Sequence, residues 1–361
     1  MVKVGSSSLR HGATGRLDLY KLEVLVRQLA NLRNAGLDVV LVSSGAMMAG
    51  RTALGIDSLR TLSQKQAAAS VGQARLMMIY SKLFSEYNTV ASQVLMTKNT
   101  VADPEHKQNA RNTFEELLAM GVIPIVNEND SVANDEIKFG DNDTLAALVA
   151  VLCDADLTIL LTDIDGLYTG NPHIDKNAKK IDVVEKITID IEDMAGAALS
   201  NVGTGGMHTK IEAAKISTNA GIPMIIASGE NPSILYDMVA GLSVGTLFKA
   251  THRPIHSRKS WILYGSEEEG IIYVDEGAKK ALQERGTSLL PSGIINVSGE
   301  FERGAIVAIA DIGGNTFGKG ISNYSSIFIN RIKGLKSNCI YNKYLDYNEE
   351  EIIHRDNLGI L

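Results

Sequence analysis

The sequence predicts a two-part α/β protein, in which an αβα sandwich with a mainly parallel sheet is followed by a small β-rich domain. Over the first 250 residues, apolar strand-like runs alternate with helical patterns, an order typical of parallel sheets covered by helices. Several of these runs end at glycine and serine turns. From Trp261 onward the apolar runs become short and closely spaced, which favours a compact β domain.

The first 45 residues predict a strand, a glycine-serine loop, a helix and a second strand. Val2–Val4 is short and apolar, and the loop Gly5–Ser8 follows it. Four apolar residues then recur at helical spacing: Leu22, Leu25, Val26 and Leu29. Residues 37–42 form a near-continuous apolar run, as expected of a parallel strand covered on both faces.

The same alternation continues to residue 227. It predicts a helix near 62–86, a strand near 90–96, a helix near 107–120, a strand at 122–126, a helix from 144, a strand at 157–161, a helix near 207–220 and a strand at 222–227. Short strands are then predicted at 271–274, 294–297 and 305–310. The predicted limits are 1–250 for the α/β domain, 251–268 for a linker, 269–346 for the β-rich domain and 347–361 for a peripheral acidic tail.

Composition narrows the class of function. The chain has 361 residues, 45% of them hydrophobic and 21% charged, with a net charge of −7. An excess of acidic over basic residues argues against general binding to nucleic acids or anionic membranes, because a protein needs a basic surface to bind either of them. Residues 270–345 carry nine Lys and Arg against six Asp and Glu, a surplus too small to decide for RNA.

Location is indicated by two further features. The two cysteines, Cys153 and Cys339, form no disulfide framework, so a reducing cytoplasm is the predicted compartment. The first ten residues lack the apolar core of a signal peptide, and no apolar run has membrane-spanning length.

Carboxylates and carboxamides are concentrated between a predicted strand and a predicted helix, at residues 127–143. The stretch contains Asn127–Asp130 and, near its end, Asn142 and Asp143. Open α/β sheets bind ligands in loops that follow the strands, so an amino acid could be held here. These residues could equally make turns and cap the next helix, with Asn142 or Asp143 as N-cap.

Two further segments carry candidate anion-binding groups. Lys3 lies in an apolar strand, where an unpaired ammonium would be costly to bury, and the donor-rich loop Gly5–Ser8 follows it. Residues 203–210 combine three glycines with Thr204, Thr209 and Lys210 at the start of a predicted helix. Glycines permit close approach of a ligand and a helix N-terminus favours anions, so this segment predicts a phosphate site.

Other apparent motifs are interpreted as coincidence. Residues 313–319 have the Walker spacing, but Gly320 stands where Ser or Thr should follow the lysine and no helical pattern begins there. His354-Arg355-Asp356 imitates part of a protein-kinase catalytic loop without its asparagine spacing. No dinucleotide fingerprint, H-E-x-x-H or paired C-x-x-C occurs, which disfavours nicotinamide and zinc enzymes.

Six motifs occur in one order along the chain: Lys3-Val-Gly-Ser-Ser, Val42-Ser-Ser-Gly-Ala46, Asn127-Glu-Asn-Asp130, Phe139-Gly-Asp-Asn-Asp143, Leu161-Thr-Asp163 and Thr204-Gly-Gly-Met-His-Thr-Lys210. Together they resemble the glutamate 5-kinase family. The resemblance implies an amino-acid kinase fold, like that of carbamate kinase, over roughly the first 250 residues. Residues near 270–346, with Val274-Asp-Glu-Gly-Ala278, Ser288-Leu-Leu-Pro291 and Arg303-Gly304, resemble the PUA domain that many bacterial members carry.

The resemblance also implies an activity and partners. The family phosphorylates the γ-carboxylate of L-glutamate with ATP and Mg²⁺, giving L-glutamyl 5-phosphate in the first step of proline biosynthesis. Proline as feedback inhibitor, glutamyl phosphate reductase as pathway partner and a homo-oligomeric assembly are implied in the same way.

Residue roles carried over from the family form three groups. Lys3, Asp143 and Lys210 are implied to be catalytic, with Asp143 orienting the lysines. Ser44, Asp130 and Asn142 are implied to bind glutamate. The ATP-binding group is Lys3, Thr162, Asp163, Thr204, Gly205, Gly206, Met207, His208, Thr209 and Lys210. No metal ligand is expected from the protein, since Mg²⁺ would be held through the ATP phosphates.

Two alternatives remain at this point. Within the fold, the chain could be an aspartate, acetylglutamate or uridylate kinase, although the PUA-like segment argues against each. In a different class, that segment could make it an RNA-binding regulatory protein, although its weak basic surplus makes RNA an improbable partner.

Overall fold

The computed structural model describes the chain from residue 1 to 360 with gaps at 57, 98–99, 102, 133–141, 173, 176, 198–205, 252–261, 264–267, 336–339, 341–346 and 348. The chain forms two compact units, Met1–Pro254 and Ile255–Leu361. Most of the predicted linker at 251–268 lies outside the described residues.

The first unit is built on an eight-stranded sheet in the order β3-β4-β2-β1-β5-β9-β10-β8. Its strands are β1 (Val2–Val4), β2 (Leu41–Ser43), β3 (Ala91–Met96), β4 (Ile123–Glu128), β5 (Thr158–Thr162), β8 (Val183–Val184), β9 (Met224–Ser228) and β10 (Thr246–Phe248). The pairings are parallel except for β9 with β10. A two-stranded sheet pairs β6 (Leu167–Tyr168) with β7 (Lys180–Ile181). The predicted mainly parallel sheet is confirmed.

Helices connect these strands. They are α1 (Leu19–Asn34), α2 (Ala46–Leu54), α3 (Leu62–Ser85), α4 (Pro104–Ala119), α5 (Asn142–Leu152), α6 (Ile189–Ala197), α7 (Met207–Asn219) and α8 (Leu235–Val239). Side chains cap several of them in the expected way: Asp18 accepts from Tyr20 and Lys21 at α1, and Asp103 accepts from Glu105 and His106 at α4. The predicted helices near 62–86, 107–120 and 207–220 agree with α3, α4 and α7 to within a few residues.

The core of the first unit explains why β1 can be short. Val2 and Val4 are buried on the central strand β1, which pairs with β2 and β5, and α5 is buried continuously from Leu145 to Leu152. Such a helix is apolar all round because it packs on every side. The predicted strand at 37–42 is shorter than expected, since only Leu41–Ser43 joins the ladder.

The second unit is built on a five-stranded sheet in the order β12-β11-β13-β14-β15. The strands are β11 (Gly270–Val274), β12 (Ile294–Ser298), β13 (Ile306–Ala310), β14 (Thr316–Ile321) and β15 (Leu358–Ile360), with helices α9 (Glu276–Arg285) and α10 (Ser326–Ile332). Residues 313–319 lead into and form part of β14, so no phosphate-binding helix starts at the Walker-like spacing.

The prediction of a peripheral tail at 347–361 is wrong. Tyr347, Ile352, Ile353 and Leu358 are buried in the core of the second unit, and β15 pairs antiparallel with β14. The prediction was based on the acidic residues of this segment and overlooked its apolar residues, which are buried in the core of the second unit. No described helix is long and apolar enough to cross a membrane.

Candidate active site

The candidate site lies at the carboxyl ends of four adjacent strands, β4, β2, β1 and β5. Parallel strands present these ends along one edge of the sheet, where ligands of open α/β folds bind. The central strand β1 carries Lys3, which is paired in register with Val42 and Leu160 on its two neighbours. Ser44 follows β2 directly, and Thr162 closes β5.

A buried ion cluster joins three predicted residues that are far apart in sequence. The Nζ atom of Lys3 lies 2.5 Å from Oδ1 of Asp143, and Nζ of Lys210 lies 3.0 Å from Oδ2. Asp143 is 1% exposed, Lys3 7% and Lys210 4%. The structure therefore brings together the residues predicted to be catalytic.

The electrostatics of this cluster favour an anionic ligand. Burial by itself would raise the pKa of Asp143, but the ammonium groups of Lys3 and Lys210 outweigh it and hold the pKa below its ordinary value. Both ammonium groups contact the same carboxylate at the carboxyl edge of the sheet. Buried ammonium groups at such an edge suit an anionic group such as a phosphoryl group.

The two helix starts affect the two charges in opposite ways. Asp143 lies in the first turn of α5, where the helix dipole stabilises a negative charge. Lys210 lies in the first turn of α7, where the same dipole disfavours a cation, and its contact with Asp143 offsets this cost. Thr209 donates from Oγ1 to the carbonyl of Gly206 at 2.8 Å and lies 3.3 Å from Oδ2 of Asp143.

A chain of amide hydrogen bonds lies beside the ion cluster. Nδ2 of Asn142 donates to Oγ of Ser44 at 2.8 Å and to Oδ1 of Asn127 at 3.0 Å. Nδ2 of Asn127 in turn donates to Oε1 of Gln73 at 2.9 Å. Two residues predicted to bind substrate, Ser44 and Asn142, are thus in direct contact.

The other predicted site residues occupy the same edge or the start of α7. Asp130 is half-buried two residues beyond β4. Thr162 is buried and donates from Oγ1 to Oδ1 of Asp163, whose side chain is exposed. Met207 is buried and His208 exposed at the start of α7. Thr204 and Gly205 lie outside the described residues, as do 133–141 of the acidic stretch.

The interpretation of residues 142 and 143 as simple caps is incomplete. Both lie within the first turn of α5, and both side chains contact residues from distant segments. Their partners place them in the site in addition to the helix start.

Sequence reasoning missed Gln73 and gave no role to Asn127. Gln73 lies on the apolar face of α3, three residues before Leu76 and seven before Tyr80. A polar residue at a buried helical position is a detectable signal, because such residues are retained only with partners. Asn127 is similarly a polar residue that follows the apolar run of β4 and is itself buried.

Comparison with known proteins agrees with the fold. Residues 1–228 match the Amino acid kinase family, and residues 270–342 match the PUA domain. The carbamate kinase of Giardia lamblia, solved bound to AMP-PNP, aligns with 69% of this chain and 97% of its own at a TM-score of 0.50 and 16% identity. That likeness concerns the fold alone. The chain belongs to the amino acid kinase family.

Relatives that align with the whole of this chain indicate its subgroup within the amino acid kinase family. The glutamate 5-kinase of Caldanaerobacter subterraneus subsp. tengcongensis is 48% identical over 366 residues, which cover 100% of this chain and 97% of the relative. That of Carboxydothermus hydrogenoformans is 49% identical over 362 residues, with the same coverage. Within its family this chain is one of the glutamate 5-kinases. The alternatives of an aspartate, acetylglutamate or uridylate kinase, or an RNA-binding regulator, are not favoured.

Proposed function

We propose that this protein transfers the γ-phosphoryl group of ATP to the γ-carboxylate of L-glutamate, giving ADP and L-glutamyl 5-phosphate, the first step of proline biosynthesis. The observation that carries the proposal is the buried cluster of Lys3, Asp143 and Lys210 at the carboxyl edge of the sheet. Full-length similarity to glutamate 5-kinases supports the choice of substrate.

The chemistry needs no general base. A glutamate side chain has a pKa of about 4.3 and is already ionised at neutral pH. One of its γ-carboxylate oxygens attacks the γ-phosphorus, and the bond to the oxygen that bridges the β- and γ-phosphates breaks. Catalysis then depends on aligning the reactants and stabilising the charge on the transferred group.

Lys3 and Lys210 are suited to stabilising that charge. Both ammonium groups are buried, where electrostatic interactions are stronger than in water. Asp143 contacts both and would hold them in place for the γ-phosphoryl group. Its depressed pKa keeps it ionised, which suits an orienting anion better than a proton donor.

Ligand contacts divide between two groups of residues. Ser44, Asp130 and Asn142 would bind glutamate, with the carboxylate of Asp130 facing the substrate ammonium. Thr162, Asp163 and residues 204–210 would bind ATP, where the N-terminus of α7 supplies backbone donors for phosphate.

Mg²⁺ is proposed to arrive with the nucleotide. Among the described residues no group of three or more His, Cys, Asp or Glu side chains could hold a metal ion, and the lysine-rich donor set fits an anion instead. The ATP phosphates would hold the ion, which would neutralise part of their charge.

The wider setting follows from the same proposal. A homo-oligomer in the cytoplasm, inhibited by proline and delivering its unstable acyl phosphate to glutamyl phosphate reductase, would fit this activity. Each of these points rests on the family alone.

The deciding experiment is an ATP-dependent assay in which hydroxylamine traps the acyl phosphate as a hydroxamate. L-Glutamate, L-aspartate and N-acetyl-L-glutamate are compared at equal concentration, with ATP omitted as control. Hydroxamate is expected with glutamate and should be weak or missing with the other two. No product from glutamate, or more product from either competitor, would overturn the proposal.

A further inference from the structure

We infer that Gln73 is a positioning residue for the amino-acid substrate and acts through Asn127 on the amide of Asn142. It does not contact the reacting atoms. The inference rests on the proposed function, because it assumes that Asn142 contacts glutamate.

The hydrogen bonds run in one direction from Asn142 to Gln73. Nδ2 of Asn142 donates one hydrogen bond to Ser44 and one to Asn127. Nδ2 of Asn127 donates a hydrogen bond to Oε1 of Gln73. Oδ1 is consequently the amide atom of Asn142 that remains for a ligand. As an acceptor, it matches the ammonium of an amino acid better than a carboxylate.

The acceptor of Gln73 sets the direction of this chain. If a side chain without an acceptor replaced it, Nδ2 of Asn127 would lose its partner in a buried place. The Asn127 amide could then rotate, and Asn142 would lose the acceptor that orients it.

The position of Gln73 is held rigidly. Helices α2 and α3 pack so closely that a Cβ added at Gly72 would lie 1.7 Å from the carbonyl oxygen of Ala46, and one at Gly50 would lie 1.7 Å from that of Ala68. Two turns after Gln73, the hydroxyl of Tyr80 lies 2.8 Å from Oγ of Ser43 in β2. The helix is thus fixed to the sheet on the face that carries Gln73.

Packing alone does not account for a glutamine here. Gln73 is 8% exposed, and no described group lies within hydrogen-bond range of its Nε2. A buried amide nitrogen without a partner destabilises the folded state, and a leucine of similar size would avoid this cost. The cost is understandable if the acceptor Oε1 is needed at the site.

The test compares Gln73→Leu, Gln73→Glu and the control Tyr80→Phe, which removes a second buried polar contact from the same face of α3. Gln73→Leu should raise the glutamate KM about tenfold, the effect of one lost buried hydrogen bond, with kcat and the KM for ATP changed less than about twofold. Gln73→Glu keeps an acceptor facing Asn127 and should stay near the wild-type KM. Tyr80→Phe should lower the Tm without changing the glutamate KM.

A second readout is the rise in Tm that glutamate alone produces, which should shrink in Gln73→Leu and persist in Tyr80→Phe. The inference is overturned if Gln73→Leu leaves the glutamate KM unchanged, if kcat and both KM values move together, or if Gln73→Glu is as impaired as Gln73→Leu. Hydroxamate formation by the wild type is scored separately, so failure of the proposed function would be recognised by itself.

Discussion

At the scale of single residues, the proposed site centres on the carboxylate of Asp143, to which we assign no proton transfer. Asp143 accepts from two lysines that are separated from it by 140 and 67 positions along the chain, at 2.5 and 3.0 Å. Each lysine would repel the other if the carboxylate were removed. The same three residues thus connect distant parts of the chain, and we propose that they also bind phosphate.

Lys210→Ala should lower kcat by about 100-fold or more, because the loss of one donor to a developing charge has effects of this size. Asp143 keeps its contact with Lys3, so the fold should persist, as checked by the Tm. Lys215→Ala is the matched control on α7, since Lys215 pairs with Glu192 and Glu212. Wild-type turnover in Lys210→Ala would contradict the role assigned to this lysine.

The depressed pKa of Asp143 gives a pH dependence of stability with a defined sign. Its carboxylate stabilises the folded state fully above the unfolded pKa of about 3.9, and this contribution is lost as the pH falls through the lower folded pKa. In urea unfolding, the stability advantage of the wild type over Asp143→Asn should be constant above about pH 5 and shrink below about pH 4. An advantage that grows on acidification would contradict this assignment.

At the scale of elements, the site depends on how closely α3 approaches α2. Gly50 and Gly72 allow backbone contact that no larger residue permits, and α3 can then present both Gln73 and Tyr80 to the sheet. The capping box of Thr61 and Gln64 defines where this helix begins. The element is thus specified locally at its start and by contact along its length.

Gly72→Ala should destabilise the protein by about 1–3 kcal/mol, the usual cost of overpacking. This sign is opposite to that of helix propensity, by which alanine would gain up to about 1 kcal/mol over glycine. Gly170→Ala is the control, since among the described residues a Cβ there would contact Asp175 alone, at an ordinary 3.7 Å. Denaturant unfolding measures both, and a gain in stability for Gly72→Ala would show that α3 can move away without cost.

At the scale of the whole molecule, two compact units each complete their own core. In the second unit this completion needs the last residues of the chain, which supply β15 and part of the apolar core. The acidic character of this segment does not prevent burial, because its charged and apolar residues are separated in space.

Ile352→Ala should therefore destabilise the second unit by about 2–5 kcal/mol, as expected for a large-to-small change in a core. Ile352 is 0% exposed, whereas Ile327 is 61% exposed, so Ile327→Ala should change stability by less than about 0.5 kcal/mol. Calorimetry on both variants distinguishes them. Equal losses of stability in the two variants would support the original prediction that residues 347–361 form a peripheral tail.

The sequence by itself determined the class of fold and most of the candidate site. Alternating apolar runs and helical spacings predict a parallel sheet because these patterns are local. The resemblance of its motifs to the glutamate 5-kinase family assigned Lys3, Ser44 and Asp143 to one site, and the carboxyl ends of parallel strands meet at one edge of the sheet. The helix starts at 142 and 207 follow from the same local signals.

Only the tertiary structure decided the strand order, the contact of Gln73 with Asn127 and the burial of Tyr347, Ile352, Ile353 and Leu358. These features depend on which distant segments become neighbours. A glutamine on an apolar helix face acquires its partner only when that face meets the end of β4, and an acidic segment becomes part of a core only when a sheet edge receives its apolar residues. The physical reason is that hydrogen bonding and burial depend on distance in space, which local patterns do not specify.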